Sequence, residues 1–381
     1  MVTITLDAVT VDYANPAADR TRALDHLDLH VRSGELLVLA GPSGSGKTTV
    51  LRAIAGLEQP VTGTIAIDGH LMNDLAPGER DVALVSQYET NFPHLTVEQN
   101  LGFGLAVRKL PREEAVQRVR AEARVLGLWS KRDRRPSQLS SGERQKTALG
   151  RATTRKPRIF LFDEPLAGLD AAERDRVRRE FLRLQRGLSV TTVYVTHDQR
   201  DAMSMGDRIA ILDRGRVMQI GAPMALYQRP ANLFVAQFLG SPPMGILDGP
   251  LRDDGTTAWL EIAGTPFRLH PSQRAAVVAS GRRTQLAVGL RAGSVVLDRT
   301  VDDDWTRRLQ MVVRSVEPLG PSTTVALTPI TGSQSLLYAL APPGTSLRRG
   351  DRCTVSVDLR AALIFDAGTG HRLYPARYSA E

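Results

Sequence analysis

The stretch Gly41-Pro42-Ser43-Gly44-Ser45-Gly46-Lys47-Thr48 follows an apolar strand-like run, 36–40, and precedes a helix-like segment, 49–54. This G-x-x-x-x-G-K-T spacing between a strand and a helix is that of a P-loop, and it disfavours an ordinary glycine-rich turn. The glycines let backbone N–H groups face a polyphosphate at a helix N-terminus, which favours anions. The pattern predicts that Lys47 reaches the β- and γ-phosphates and that Thr48 ligates Mg²⁺. We therefore expect the chain to bind a nucleoside triphosphate.

A pair of carboxylates, Asp163 and Glu164, ends a second apolar run, 159–162. Successive strand residues point to opposite sides, so Asp163 is predicted to face a metal ion and Glu164, just past the strand end, to polarise an attacking water. A core strand with an acidic end is the alternative, and the preceding P-loop favours the catalytic interpretation. A third buried-type run, 190–195, leads to His197. An isolated histidine is usually structural, but this one is the third functional-looking group at a strand end.

The region 88–150 has a different pattern, and we expect a mainly helical insertion there. Thr96 has capping-box spacing to Gln99, and apolar residues recur on one helical face between positions 111 and 127. Further along, Ser140 and Glu143 have the S-x-x-E spacing of a second capping box. The N-terminus of that helix is equally suited to an anion. The local pattern leaves both interpretations open.

Composition indicates a globular protein of a reducing cytoplasm. A chain of 381 residues suggests two or three domains at about 150 residues each. The one cysteine, Cys353, has no partner for an internal disulfide, and the sequence has neither a signal-peptide pattern nor a membrane-spanning apolar run. Any membrane association is therefore expected to go through a partner. The net charge of +8 permits a nucleic-acid or anionic-membrane partner, but dispersed charges and 5% aromatic residues favour a solvated basic surface.

Taken together, these motifs resemble the ATP-binding cassette (ABC) ATPases. The glycine loop, Ser86-Gln87 and the LSSGE, FLFDEP, GLD and THD motifs occur in that family's order over about residues 1–235. The resemblance implies an α/β P-loop ATPase that uses ATP and Mg²⁺. It assigns nucleotide contacts to Tyr13, Gly41, Pro42, Ser43, Gly44, Ser45, Gly46, Lys47, Thr48, Thr49, Gln87, Ser140, Gly142 and Glu143. It assigns the metal to Thr48, Gln87 and Asp163, and catalysis to Glu164, His197, Lys47 and Gln87.

The resemblance also implies how these residues divide the work. Tyr13 is expected to stack on adenine, and Gln87 to touch Mg²⁺ and sense the transporter. Glu164 is expected to be the general base, and His197 to hold the γ-phosphate and the water in line. Asp170, in the GLD motif, is expected to belong to a loop that couples two sites.

In this family two cassettes face each other head to tail, and the signature helix of one caps the γ-phosphate bound by the other. The resemblance therefore implies a second cassette as partner: an identical chain is the leading expectation, and a different cassette is the alternative. The usual LSGGQ signature reads LSSGE here: Ser141 replaces a glycine and Glu143 a glutamine. Both changes keep the helix cap possible, and Glu143 adds a carboxylate near a phosphate.

From about residue 245 short strands alternate with Gly, Pro and Asp turns, which predicts a small antiparallel barrel or sandwich. We expect an ATPase domain over 1–240 and an accessory β domain over 241–381. The segment 221–242 resembles the maltose-type carbohydrate-importer ATPases, whose C-terminal part is an OB-like regulatory domain. The stretch 91–97 resembles the same subfamily, which implies that Phe92 and Leu95 contact permease subunits. The predicted strands of this region are 258–262, 285–290, 309–316, 323–327, 336–340 and 354–359.

We consider three functions. The leading one is the ATP-hydrolysing subunit of a bacterial importer for a sugar or glycerophospho-type solute. It would be held at the cytoplasmic face of the membrane by two permease subunits and served indirectly by an extracytoplasmic solute-binding protein. An importer for polyamine, sulfate or iron is an alternative, because related cassettes also carry barrel-like tails. A cassette acting on nucleic acid or ribosomes would predict tandem cassettes, a coiled coil or zinc-binding cysteines, and the sequence has none. We therefore expect no nucleic-acid partner.

Overall fold

The structure is a computed structural model that describes residues 2–15, 18–86, 91–108, 110–281, 285–297, 305–331 and 335–374. The chain divides into two compact units, Met1–Pro223 and Met224–Glu381. The domain ranges 1–240 and 241–381 stay predictions. In the first unit the strands are β1 (Ile4–Asn15), β2 (Ala18–Val31), β3 (Leu36–Ala40), β4 (Thr62–Ile67), β5 (His70–Leu71), β6 (Val82–Val85), β7 (Ile159–Asp163), β8 (Thr191–Thr196), β9 (Arg208–Asp213) and β10 (Arg216–Gly221). The helices of this unit are α1 (Lys47–Ala55), α2 (Val97–Val107), α3 (Arg112–Val125), α4 (Ser141–Thr153), α5 (Ala171–Leu188) and α6 (Gln199–Met205).

Two sheets form the first unit. The larger has the strand order β10-β9-β3-β8-β7-β6, and its neighbours from β9 to β6 run parallel while β10 is antiparallel to β9. The smaller, antiparallel sheet has the order β2-β1-β4-β5. Every residue of β3, β7 and β8 is buried, as expected for strands covered on both faces. Helix α1 packs into the core between the sheets through residues such as Val50 and Ile54.

The predicted helical insertion is confirmed for the described residues, which form α2, α3 and the start of α4. The Thr96 capping box is also confirmed, because its hydroxyl accepts from the Gln99 N–H while the Gln99 side chain accepts from the Thr96 N–H. Val119 and Ala123 of α3 are buried. Val116, predicted on the same face, is 51% exposed, because α3 lies at the edge of this subdomain and covers its neighbours with only part of its apolar face.

The second unit is built mainly from antiparallel strands. They are β11 (Gly245–Asp253), β12 (Ala258–Ile262), β13 (Thr265–Arg268), β14 (Gln285–Leu290), β15 (Val295–Leu297), β16 (Thr306–Pro318), β17 (Thr323–Pro329), β18 (Leu337–Ala341), β19 (Arg352–Asp358), β20 (Leu363–Asp366) and β21 (Arg372–Tyr374). The helices are α7 (Pro223–Gln228), α8 (Leu233–Phe238) and α9 (Pro271–Ala279). Two sheets, β13-β12-β11-β14-β20-β21 and β15-β19-β16-β17-β18, contribute to one apolar core. The predicted fold class, an α/β P-loop domain with a helical insertion and a C-terminal β domain, is confirmed. Strand spacing did not predict α9.

Candidate nucleotide-binding and hydrolysis site

The site lies at the carboxyl ends of three neighbouring parallel strands. Strand β8 pairs with β3 on one side and with β7 on the other, in the registers Ala40↔Thr196 and Val195↔Asp163. The glycine loop, His197 and Glu164 follow these strand ends directly, which is where open α/β sheets bind ligands. A cavity of about 590 Å³ opens there. The predicted residues that line it are Tyr13, Ser43, Gly44, Gly46, Lys47, Thr48, Thr49, Glu164 and His197.

Gly46 sets the position of the loop. Its φ is +101°, and a Cβ at this position would lie 2.6 Å from the Ala23 carbonyl oxygen and 2.9 Å from Leu24 Cδ2. A side chain would be excluded both by the backbone conformation and by this close approach to β2. Helix α1 begins at the next residue, so the glycine places the positive end of a helix on the cavity wall.

Lys47 folds back over the glycine loop and is only 6% exposed. Its Nζ donates to the carbonyl oxygens of Gly41 at 2.9 Å and Pro42 at 2.7 Å. Burial lowers the pKa of the Lys47 ammonium, and the nearby charges of Glu164 and Asp163 act in the opposite direction. The ammonium is therefore held beside the cavity by carbonyl acceptors that a phosphate could replace.

Thr48 and Asp163 form the oxygen pair predicted for the metal. The Thr48 hydroxyl donates to Asp163 Oδ1 at 3.1 Å, and Asp163 is 8% exposed. Burial raises the pKa of Asp163, while the hydrogen bond from Thr48 lowers it. The described residues contain no cluster of three or more His, Cys, Asp or Glu side chains able to hold a metal. A hydroxyl and one carboxylate fit Mg²⁺, which commonly takes its other ligands from phosphates and water.

Glu164 and His197 face each other at the cavity. The distance from His197 Nδ1 to Glu164 Oε1 is 2.9 Å, and the His197 side chain is 61% exposed. Glu164 has φ +49°, in the left-handed region, and its N–H donates to the Val195 carbonyl at 3.0 Å. A non-glycine residue in this region costs about 1–3 kcal/mol and is typical of functional sites. This backbone conformation ends the extended course of β7 at Glu164, which lines the cavity.

Tyr13 enters the cavity from the N-terminal hairpin, with its hydroxyl 3.4 Å from Thr49 Oγ1. The neighbouring wall residues Thr21, Arg22 and Ala23 belong to no motif and were not predicted. The signal that identifies them is strand register, because Tyr13 lies opposite Thr21 in the antiparallel β1–β2 pair. Arg22 is held by Asp12 at 3.1 Å and by Asp25 at 3.3 Å.

The predicted signature residues lie elsewhere, at the start of α4. Ser140 and Glu143 form the predicted capping box: the Ser140 Oγ accepts from the Glu143 N–H, and Glu143 Oε2 accepts from the Ser140 N–H. Glu143 also pairs with Lys131, whose hydrogen bond is the main cause of the lowered pKa of Glu143. Among the described residues, Ser140, Gly142 and Glu143 are not part of the cavity lining. Gln87 lies outside the described residues, so its predicted contacts stay predictions.

Comparison with known proteins yields consistent matches. The sequence profile of the ABC transporter family matches residues 24–167. The chain is 40% identical to the xylose/arabinose import ATP-binding protein of Haloferax volcanii over 98% of this chain and 96% of that protein. It is 41% identical to the trehalose/maltose import ATP-binding protein of Thermococcus litoralis, over 92% and 95% of the two chains.

The chain also resembles a glycerol-3-phosphate import protein and a solved ATP-binding cassette. The sn-glycerol-3-phosphate import ATP-binding protein of Chromohalobacter salexigens is 40% identical, over 96% of this chain and 95% of that protein. A solved ATP-binding cassette, dimeric in a post-hydrolysis state with ADP and phosphate, superposes with a TM-score of 0.53 at 30% identity. The superposition covers 58% of this chain and 98% of that one.

Proposed function

Since the chain belongs to the family of ABC transporter ATP-binding proteins, we propose that it is the ATP-hydrolysing subunit of an importer for a sugar or a glycerol-3-phosphate-type solute. The observation that carries the ATPase assignment is one cavity lined by Lys47, Thr48 and the Glu164–His197 pair, with Asp163 hydrogen-bonded to Thr48 behind its wall. The solute class rests on three relatives, each about 40% identical over nearly its full length, that import pentoses, disaccharides or glycerol-3-phosphate.

The geometry supports hydrolysis by positioned charges. Phosphoryl transfer depends on orientation and on neutralising the charge of the equatorial oxygens more than on covalent help. The Lys47 ammonium turns from the loop carbonyls to the β- and γ-phosphate oxygens. Thr48 and Asp163 would hold Mg²⁺, which when bound neutralises charge on those same oxygens.

Glu164 and His197 act on the attacking water. The Glu164 carboxylate accepts a proton as the water oxygen bonds to the γ-phosphorus, and the bond from that phosphorus to the bridging oxygen breaks to give ADP and phosphate. His197, 2.9 Å from Glu164 and open to the cavity, orients the carboxylate and donates to the γ-phosphate.

Completion of this site requires a second cassette. The cavity is open, and the signature residues of the same chain do not line it in the part that the structure describes. We infer that Ser140 and Gly142, at the N-terminus of α4, cap the γ-phosphate held by an identical partner chain. The solved cassette that resembles this chain is itself dimeric, which supports the pairing of two cassettes. Hydrolysis should then depend on ATP-driven closure of the dimer.

A deletion strain tests the function as a whole. We expect loss of this chain to abolish uptake of one labelled sugar or of glycerol-3-phosphate, and the wild-type gene to restore it. Uptake of polyamine, sulfate and iron should be unchanged in the same strain. A defect confined to one of those three solutes would overturn the proposed solute class while leaving the ATPase assignment intact.

A groove on the helical insertion is the surface we assign to the permease subunits. It has a volume of about 330 Å³ and is lined by apolar residues of β6 and α2, including Leu84, Phe103 and Val107. Phe103 is 41% and Val107 68% exposed, which leaves apolar area for a partner. Phe92, predicted to contact the permease, is half-buried, and its ring centroid lies 4.3 Å from that of Phe103. It therefore packs against a wall residue of the groove but does not line the groove itself.

Arg151 and Arg155 add positive charge to the groove, and Arg108, which also lines it, is paired with Asp81 at 2.8 Å. Burial is the main cause of the lowered pKa of Arg155, and the positive charge of Arg108 lowers it further. The buried Nη1 of Arg151 has no hydrogen-bond partner among the described residues. A permease segment carrying carboxylates would complement the positive charge of Arg151 and Arg155. No helix in the described part of the chain is long and apolar enough to cross a membrane. We place the protein at the cytoplasmic face through this docking.

Val107→Arg tests the groove. We expect it to lower co-purification with the permease subunits by roughly tenfold or more, because a long charged side chain would replace an apolar contact and lose its water under the partner. ATP hydrolysis by the isolated protein should stay near wild type. The matched control is Val125→Arg, at the end of α3, where the valine is 64% exposed and does not line the groove. Equal co-purification of both variants would place the permease contact elsewhere.

A further inference from the structure

The N-terminus of α4 already holds an anion from the same chain. Glu173, in the first turn of α5, accepts a hydrogen bond from the Gly142 N–H at Oε1, 2.9 Å away. Its Oε2 accepts from the Ser141 hydroxyl at 2.7 Å. The Glu173 side chain is 15% exposed, so both oxygens are largely withdrawn from water. A carboxylate is thus bound in the place that a helix N-terminus offers to anions.

One of the two donors that hold this carboxylate, the Gly142 N–H, is assigned above to the partner's γ-phosphate, and the other, the Ser141 hydroxyl, is its neighbour at the same helix end. A Cβ on Gly142 would lie 2.0 Å from Glu173 Oε1, which shows how closely the carboxylate covers the helix end. The backbone N–H of Gly142 donates one hydrogen bond, and two anions at this distance would repel each other. Glu173 and an incoming γ-phosphate therefore exclude each other.

We propose that Glu173 competes with the γ-phosphate bound by the partner chain for the N-terminus of α4. The Glu173 carboxylate occupies this helix end until ATP-driven dimerisation displaces it. The proposal rests on the proposed function, because it requires the closed dimer. It also explains the altered signature: Ser141, where the family has glycine, supplies the second donor to Glu173. The LSSGE motif and Glu173 then form one hydrogen-bonded cluster.

The displaced carboxylate has a second position available. Arg176 Nη2 lies 3.7 Å from Glu173 Oε1 and is one helical turn further along α5. The Glu173 N–H donates to Asp170 Oδ1 at 2.9 Å. Asp170 belongs to the loop that is expected to couple the two sites, so this loop is hydrogen-bonded to the residue that must move. A shift of this loop on dimer closure would pull Glu173 from Gly142 towards Arg176.

The alternative role for Glu173 is a simple tie between α4 and α5, and the chain offers a control for it. Lys146 of α4 pairs with Glu180 of α5 at 2.6 Å, and Glu180 lies about two helical turns beyond Glu173. Glu180→Gln breaks this interhelical tie without touching Gly142. A structural role predicts similar effects of Glu173→Gln and Glu180→Gln, whereas competition predicts an effect of Glu173→Gln alone.

The test measures ATP-dependent dimerisation of the full chain by analytical ultracentrifugation, in a Glu164→Gln background that does not turn over ATP. We expect Glu173→Gln and Glu173→Leu to lower the dimer Kd by roughly tenfold or more, since displacing a charge-assisted hydrogen bond is no longer required. Glu180→Gln should leave the dimer Kd unchanged. The affinity of the monomer for a fluorescent ATP analogue should be the same in all variants.

Failure of the competition and failure of the proposed function give different results. If the Glu164→Gln parent dimerises with ATP and the Glu173 variants match it or dimerise more weakly, the competition is wrong and the proposed function stands. If the parent binds ATP but never dimerises, the cassette dimer itself is wrong, and the competition falls with it. Glu173→Gln keeps the side-chain shape, so it decides the question even if Glu173→Leu unfolds.

Discussion

Glu164→Gln is expected to lower steady-state ATP hydrolysis by roughly 10²- to 10⁴-fold, the usual contribution of a general base. The amide keeps the shape of the side chain and can still bond to His197, which now lies 2.9 Å from the carboxylate. It cannot accept the proton of the attacking water. Nucleotide binding should persist, because Lys47, Thr48 and Asp163 are unchanged, so ATP should accumulate in a closed dimer. Phosphate release and size-exclusion chromatography with Mg·ATP measure the two effects.

The adjacent carboxylate provides the contrast. Asp163→Asn replaces the carboxylate that accepts the Thr48 hydrogen bond at 3.1 Å with a neutral amide. Because Mg²⁺ prefers a carboxylate ligand, we expect Mg²⁺ to raise the ATP affinity of this variant less than that of the wild type. Glu164→Gln should keep that gain in full. Titration of a fluorescent ATP analogue with and without Mg²⁺ distinguishes the two residues. Turnover near the wild-type rate in Glu164→Gln would remove this residue as the base, whatever the result for Asp163.

The strands that carry the site could be predicted because their sequences are short apolar runs that end in polar or glycine residues. The predicted run 36–40 has the same bounds as β3, and the bounds of 159–162 and 190–195 differ from those of β7 and β8 by at most one residue. Parallel strands of a covered sheet are buried on both faces, so their pattern is continuous rather than alternating. Once their carboxyl ends are adjacent, the separate motifs of the sequence become one site.

Features that depend on contacts between distant segments could not be predicted in this way. Glu173 meets Gly142 across two helices, and its local sequence only indicates an exposed, charged helix face. Arg22 reaches the cavity through the register of β1 and β2, which composition does not reveal. Helix α9 interrupts a strand-rich region, and its nine residues are too few for a clear helical period.

Lys47→Ala is the second large effect that we expect, and it falls on binding rather than on the chemical step. Loss of an ammonium that bonds to the β- and γ-phosphates removes about 2–4 kcal/mol, a roughly 30- to 700-fold rise in the Kd for ATP. Fluorescent-nucleotide titration measures this Kd. Lys146→Ala is the matched control, because Lys146 is also partly buried but pairs with Glu180 away from the cavity.

The stability of Lys47→Ala should change much less than its ATP affinity. The substitution leaves the carbonyls of Gly41 and Pro42 without the Nζ donor, which costs free energy of folding. It also removes an ammonium whose pKa is lowered by burial, and this relieves part of the cost of desolvating a charge. The two effects oppose each other, so a large loss of ATP affinity with a small change in Tm would point to the phosphate contact. Unchanged ATP affinity in a folded Lys47→Ala protein would contradict the P-loop assignment, and with it the catalytic roles that depend on a phosphate held at this loop.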